Sequence, residues 1–96
     1  MSREKQASDF ADALESLSAG SLSEREFRAK YQTAENSALL GVIWPNLEHY
    51  LVDTEIRERD PTYRAMQNAE MGRLIALLRA GAPDGDLVKI HFLGYS

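Results

Sequence analysis

The segment from Pro45 to Tyr63, which reads PNLEHYLVDTEIRERDPTY, constrains the fold of this chain more than any other. Its apolar positions recur at the three- and four-residue spacing of one face of a helix. These positions are Leu47, Tyr50, Leu51 and Thr54. The segment then reaches Asp60-Pro61, a helix-start signal with aspartate as the cap and proline at the first helical position. The pattern predicts a helix packed against a core and another helix directly after it.

The same segment carries the most concentrated negative charge in the chain. Two bases, Arg57 and Arg59, stand against five acids, which are Glu48, Asp53, Glu55, Glu58 and Asp60. The resulting local charge of −3 is most of the net charge of −4. Such one-sided patterning favours a role in binding. The alternative is an ordinary solvated helix face on which Glu55 and Arg59 form an i,i+4 pair.

Size and composition limit the chain to one small domain of 96 residues. The absence of cysteine excludes disulfides and thiol chemistry and fits a reducing cytoplasm. A pI near 5.1 argues against direct binding of nucleic acid, which needs a basic surface, but permits a basic protein partner. The longest apolar run, 38–44, is interrupted by Gly41 and is far below the roughly 20 residues of a membrane span. The N-terminal residues lack the apolar core of a signal peptide.

Two helices are predicted in the first third of the chain. The first runs from about Arg3 to Ser18, and Gly20 is its predicted terminator. The second begins at Ser23, which forms a capping-box pattern with Glu26 three residues later.

Two further helices follow. One covers roughly Ser37 to Arg57, and Pro45 inside it predicts a kink or a new helix that begins at the proline. The other extends from Pro61 to about Ala80 and ends at Gly81, with Asn68 as a point at which it could divide.

The tail has a different pattern. After a turn signal at Asp84-Gly85, LVKIHF alternates apolar and polar residues, which predicts a short strand or an extended arm over residues 87–95. The whole sequence predicts an all-α bundle of four or five helices that carries this tail. The predicted core consists of Phe10, Leu14, Leu17, Phe27, Tyr31, Leu40, Ile43, Trp44, Leu47, Leu51, Leu74, Ile75 and Leu78.

No residue pattern indicates catalysis, a cofactor or a metal site. His49 and Asp53 share a helix face, but a metal site needs three or four ligands, so a solvated or capping histidine is favoured. His91 has no acidic neighbour placed to orient it. Nucleophile-elbow, phosphate-loop and zinc signatures are absent, and we expect no enzymatic activity. An enzyme is the minor alternative, with His49 and His91 as its only evident starting points.

Aromatic residues beside the acids are candidate interface anchors. A core position is favoured for Trp44, whereas Tyr50 suits core or surface because its hydroxyl can reach water. For Asp60, a role as helix cap has at least as much support as a partner contact. The predicted partner-binding set is Glu48, Tyr50, Asp53, Glu55, Glu58, Asp60 and Tyr63.

Two segments together resemble a known family. Residues 14–32, LESLSAGSLSEREFRAKYQ, place a helix, a short turn over 18–23, and a capped helix with Glu26-Phe27 near its start. Residues 46–81 place an acidic helix, an Asp-Pro turn, a tyrosine and a leucine-rich final helix. These segments, about half of the chain, resemble the immunity proteins of the colicin D type and of contact-dependent growth inhibition systems.

The resemblance implies a cytoplasmic protein without a cofactor that binds the toxin domain of its own system. Such toxins are often basic nucleases, frequently acting on transfer RNA, and acidic side chains of the immunity protein occupy the places of RNA phosphates. An acidic helix face agrees with this expectation, since opposite charge speeds association and selects the partner. The alternative is a small acidic adaptor or antitoxin-like regulatory subunit, which predicts an exposed apolar patch or a constitutive oligomer.

Overall fold

The computed structural model describes residues 3–31 and 38–90, apart from the side chains of Arg3, Ala38 and Leu40. Six helices lie in these ranges and no strand does, so the predicted all-α class is confirmed. The helices are α1 (Arg3–Ala19), α2 (Glu24–Lys30), α3 (Ala38–Val52), α4 (Thr54–Arg59), α5 (Pro61–Arg79) and α6 (Asp84–Leu87). None of these helices combines the length and the apolar character needed to cross a bilayer.

The two long helices α1 and α5 end at the predicted glycines. Gly20 and Gly81 adopt positive φ angles of 82° and 72°, which a residue with a Cβ rarely takes. At each end, the glycine N–H and the next N–H donate back to carbonyls of the last turn, for example Ser21 N to Ser16 O at 2.9 Å. This is the Schellman arrangement, and it satisfies carbonyls that the helix itself leaves unpaired.

The helix starts predicted at Ser23 and Asp60 are also confirmed. Ser23 Oγ accepts from Glu26 N at 3.1 Å, while Glu26 Oε1 accepts from Ser23 N at 3.3 Å, which closes the capping box of α2. Asp60 Oδ1 accepts from the backbone N–H groups of Thr62 and Tyr63 at 3.0 and 3.1 Å. Each cap is worth about 1 kcal/mol of stability.

The break in the predicted third helix lies at Asp53 and not at Pro45. Helix α3 continues through Pro45, so the prediction that a new helix starts there was wrong. The ring costs one hydrogen bond to the carbonyl of Gly41, but buried Ile43 and Leu47 lie on either side and keep both halves packed. The helix is interrupted instead at Asp53, which separates α3 from α4.

Helix α5 does not divide at Asn68. Buried Gln67 and Met71 hold the middle of this helix against the core, although the apolar spacing falters there. A polar side chain can occupy such a position because its amide is fully hydrogen-bonded, as described below.

The core agrees with most of the predicted residues. Buried as predicted are Phe10, Leu14, Phe27, Ile43, Leu47, Leu51, Leu74 and Leu78, whereas Leu17, Tyr31, Trp44 and Ile75 are half-buried and pack against this cluster. The predicted core position of Leu40 falls on an undescribed side chain. Further buried apolar residues are Ala7, Ala11, Ala13, Leu39, Tyr50, Met71, Leu87 and Ile90.

The predicted tail strand is wrong over its described part. Asp84-Gly85 opens the short helix α6, and Val88 and Lys89 form a turn. Leu87 and Ile90 are buried while Val88 is 45% exposed, a three-residue spacing that replaces the expected alternation. The remainder of the predicted segment, 91–95, lies outside the described residues.

Packing of α1 against α5 forms the body of the fold. At one end, Arg79 Nη2 of α5 lies 2.9 Å from Asp12 Oδ1 and 2.6 Å from Glu15 Oε1 of α1. Helix α4 packs on α5, and α6 packs on both α3 and α5. This arrangement presents α4 and the adjoining end of α3 as one side of the molecule.

Candidate protein-binding surface

Arg57 fixes the short helix α4 to its neighbours. Its Nη1 donates to the carbonyl oxygen of Tyr50 in α3 and, at 2.7 Å, to Gln67 Oε1 in α5. Its Nη2 donates to Thr54 Oγ1 at 3.2 Å, and the guanidinium carbon stands 3.7 Å from the centroid of the Tyr50 ring. One side chain therefore links three helices by hydrogen bonds and by a cation–π contact.

Gln67 extends this set of contacts to the helix break. It is fully buried (0% exposed), and its Nε2 donates to Asp53 Oδ2 and to the Tyr63 hydroxyl oxygen, each at 3.2 Å. The Tyr63 hydroxyl in turn donates to Asp53 Oδ2 at 2.6 Å. We call Asp53, Arg57, Tyr63 and Gln67 the Gln67 network. It orders the α3–α4 junction with a satisfied set of polar groups.

Three of the five predicted partner-binding acids are engaged within the chain. Glu48 accepts two hydrogen bonds from Arg28, at 2.6 and 3.2 Å, and this pairing raises the pKa of the Arg28 guanidinium. Asp53 belongs to the Gln67 network, and Asp60 caps α5. These contacts give all three a structural role, which the sequence suggested only for Asp60.

Glu55 and Glu58 are different. Both are exposed on α4, and neither has an ion pair or a hydrogen bond to any side chain that the structure describes. The ordinary pair between Glu55 and Arg59 does not form. The charge of these two carboxylates is thus available to a partner.

The predicted aromatic anchors are less accessible than the sequence suggested. Tyr50 is only 4% exposed and lies beneath Arg57, and the half-buried Tyr63 uses its hydroxyl on Asp53. Trp44, for which the sequence favoured a core position, is only half-buried and stacks against the core on Phe27, with ring centroids 6.0 Å apart.

Two aliphatic side chains take the place of the aromatic anchors. Val52 is 60% exposed and Ile56 is 39% exposed, at the junction of α3 and α4. They continue an outward line of exposed positions that starts at Pro45 and His49, with spacings of four, three and four residues. Neither residue was among the predicted partner-binding residues, although their helical spacing contains the signal.

We define the α4 surface as Val52, Glu55, Ile56 and Glu58. It combines the exposed apolar side chains of Val52, at the end of α3, and Ile56, in α4, with two carboxylates of α4 that have no ion-pair partner among the described residues. The Gln67 network holds this junction of α3 and α4 in place. Nearby His49 is exposed, and no cluster of three or more potential metal ligands occurs in the described ranges. The arrangement is suited to contact with another macromolecule.

Comparison with known proteins gives no relative: no family model, no curated protein and no solved structure matches this chain. Function must therefore be inferred from the residues of the chain and from their arrangement.

Proposed function

We propose that this chain is an immunity protein that binds a basic bacterial toxin domain, of the nuclease type, and blocks its active site. The observation that carries the proposal is the α4 surface, on which Glu55 and Glu58 have no side-chain partner among the described residues and lie beside exposed Val52 and Ile56. The resemblance of residues 14–32 and 46–81 to such immunity proteins supports the same function. The chain would act in the cytoplasm, by occupancy and without catalysis.

The charged and the apolar side chains of the α4 surface would have different roles in this complex. The carboxylates of Glu55 and Glu58 would meet cationic groups that otherwise hold the phosphates of the toxin's RNA substrate, which favours rapid encounter and partner choice. Val52 and Ile56 would supply the buried anchors on which affinity depends. Neither requires that this chain contact nucleic acid.

The Gln67 network supports the proposal through preorganisation. A surface that is already ordered loses little conformational freedom when a partner docks, so more of the interaction energy appears as affinity. Arg57 ties α4 to both neighbouring helices, and Asp60 fixes the start of α5 directly behind it. The remaining residues of the predicted set would thus fix the surface that carries Glu55 and Glu58, and among them are Tyr50, Asp53, Asp60 and Tyr63.

Charge reversal tests the proposal at the surface itself. The variant Glu55→Lys/Glu58→Lys should slow association with the toxin domain by at least roughly tenfold at low salt, and less at high salt. Its stability should stay within about 0.5 kcal/mol of wild type because both side chains are exposed. Stopped-flow association and chemical denaturation measure the two quantities.

The matched control is Glu4→Lys, which reverses an exposed acid of α1 that also lacks a partner among the described residues. The single variant Glu55→Lys should slow association, whereas Glu4→Lys should leave the association rate nearly unchanged. Equal effects of Glu4→Lys and Glu55→Lys would mean that only net charge matters, which contradicts a role for the α4 surface.

A small adaptor or antitoxin-like regulatory subunit is the second candidate. It is favoured by the exposure of Val52, Ile56 and Val88, three large apolar side chains that water contacts in the free chain. A constitutive oligomer in size-exclusion chromatography would favour this candidate, whereas a gene directly downstream of a large secreted toxin would favour immunity.

A further inference from the structure

A cleft between the end of α1, helix α4 and helix α5 contains two arginine side chains. Its volume is about 340 Å³, and its walls are Leu17, Ser18, Gly20, Tyr50, Thr54, Arg57, Glu58, Arg64 and Asn68. A smaller hollow of about 160 Å³ adjoins it through shared walls that include Leu17 and Arg57. We call the larger space the arginine cleft.

Arg57 brings an uncompensated charge to this cleft. It is half-buried, and its acceptors are all neutral: the Tyr50 carbonyl, the Gln67 amide oxygen and the Thr54 hydroxyl. No carboxylate in the described ranges lies within ion-pair distance of it. Its Nε–H and one N–H of Nη2 are left over for another acceptor.

Arg64 adds a second guanidinium from α5. Its side chain is exposed, and no hydrogen bond or ion pair engages the guanidinium in the part of the chain that the structure describes. Asn68 lies one turn further along α5, on the same side of the helix, and Ser18 provides a hydroxyl from α1. Glu58 is the only acid among the described wall residues, whose charges sum to +1 in a chain with a net charge of −4.

We propose that the arginine cleft binds a phosphate group of a small molecule. Two guanidinium groups can each offer paired N–H donors to phosphate oxygens, and a hydroxyl and an amide from two other walls can complete the shell. The carboxylate of Glu58 opposes the bound anion and limits its affinity. The site lies beside the α4 surface but does not depend on toxin binding.

Titration of the free chain with inorganic phosphate, at constant ionic strength and followed by amide NMR shifts, tests this proposal. We expect saturable shifts confined to residues 17–20 and to Arg57, Arg64 and Asn68. Acetate should bind more weakly because it carries less charge. Shifts that never saturate, shifts scattered over all basic residues, or equal binding of acetate would overturn the assignment of a phosphate site.

Matched variants separate the cleft from general charge effects. Arg64→Gln should weaken phosphate binding by roughly tenfold, the value of one charged hydrogen bond. Arg59→Gln removes the same charge from an exposed arginine outside the cleft, and it should change the binding by less than about twofold. Equal losses in the two variants would contradict the site.

Glu58 supplies a test of opposite sign. Replacement by glutamine keeps the size of the side chain and removes the repulsion, so phosphate should bind about three- to tenfold more tightly. Glu55→Gln, which alters an exposed acid outside the cleft walls, should strengthen binding less. Unchanged or weaker binding by Glu58→Gln would overturn the proposed geometry. Since no toxin is present, failure here leaves the immunity proposal untouched.

Discussion

At the scale of single residues, the polar groups around Gln67 order the junction of α3, α4 and α5. A buried amide is tolerated in a small core only when its donors and acceptors are paired. Here Oε1 accepts from Arg57 and Nε2 donates to Asp53, so the neutral amide of Gln67 bridges a cation and an anion by hydrogen bonds. No local sequence pattern predicts this arrangement, because it requires residues ten and fourteen positions away from Gln67.

Removing that amide should destabilise the fold. Gln67→Leu keeps the approximate volume but removes one hydrogen-bond acceptor from Arg57 and one donor from Asp53, so we expect a loss of about 1–3 kcal/mol in the free energy of unfolding. Chemical denaturation measures the loss. The neighbouring exposed variant Asn68→Ala is the control and should change stability by no more than about 0.5 kcal/mol. A Gln67→Leu protein as stable as wild type would show that the network is dispensable.

Tyr31 predicts a dependence of stability on alkaline pH. Burial, followed by the nearby charges of Asp9 and Asp12, raises the pKa of Tyr31 above its ordinary value of 10.0. The folded state thus favours the protonated phenol. Its contribution to stability is complete below pH 10.0 and is lost as the pH rises through the higher folded value.

The variant Tyr31→Phe tests this dependence because it removes the titrating hydroxyl and keeps the ring contacts with Phe10 and Phe27. The stability difference between wild type and variant should shift in favour of the variant as the pH rises from about 8 to about 11. Denaturant unfolding at a series of pH values measures it. A difference that stays constant with pH would exclude the proposed titration.

At the scale of helices, sequence signals placed most of the ends because those signals act locally. A capping box, an Asp-Pro start and terminal glycines each satisfy backbone groups within a few residues, whatever the rest of the chain does. The break at Asp53 and the passage of α3 through Pro45 are decided by packing instead. Buried Ile43 and Leu47 outweigh the preference of proline, a balance that can be judged only once the core is known.

Asp60 allows the structural and the binding roles of an acid to be separated. Asparagine caps helices about as well as aspartate, whereas alanine does not. Asp60→Ala should therefore cost about 1 kcal/mol of stability and Asp60→Asn much less, as judged by thermal or chemical unfolding. Both variants remove the same negative charge. If this carboxylate contacts the proposed toxin domain, both variants should therefore associate more weakly. If Asp60→Asn destabilises as much as Asp60→Ala, the capping geometry is incorrect.

At the scale of the whole molecule, the number of acids in a segment can be counted from the sequence, but their engagement within the fold cannot. The sequence located an acidic segment correctly, but the fold engages Glu48, Asp53 and Asp60 within the chain and leaves Glu55 and Glu58 exposed, without a side-chain partner in the described ranges. The all-α class followed from the helical spacing of apolar residues in the longer helices, whereas the short helix α6 was predicted as part of a strand. The candidate binding surface did not, because the distinction between a neutralised and an available carboxylate depends on residues from other helices.

The apolar residues of the α4 surface could not be predicted from the sequence for a related reason. Helix α3 is apolar on almost every side, and such a helix normally lies inside a larger core. In a chain of this size one side must still meet water, and Val52 lies on that side. Val52 is therefore a candidate contact with a partner and not a core residue.

Toxin capture combined with inhibition tests the central claim most directly. The tagged chain would be mixed with source-cell lysate at low and at moderate salt, and any captured domain would be purified and assayed for nuclease activity. Immunity predicts one stoichiometric partner, a basic domain at the end of a large secreted protein, whose activity the wild-type chain abolishes and Glu55→Lys/Glu58→Lys inhibits more slowly. A metabolic or regulatory partner, no partner at either salt concentration, or a captured domain whose activity is unaffected would contradict the proposed function.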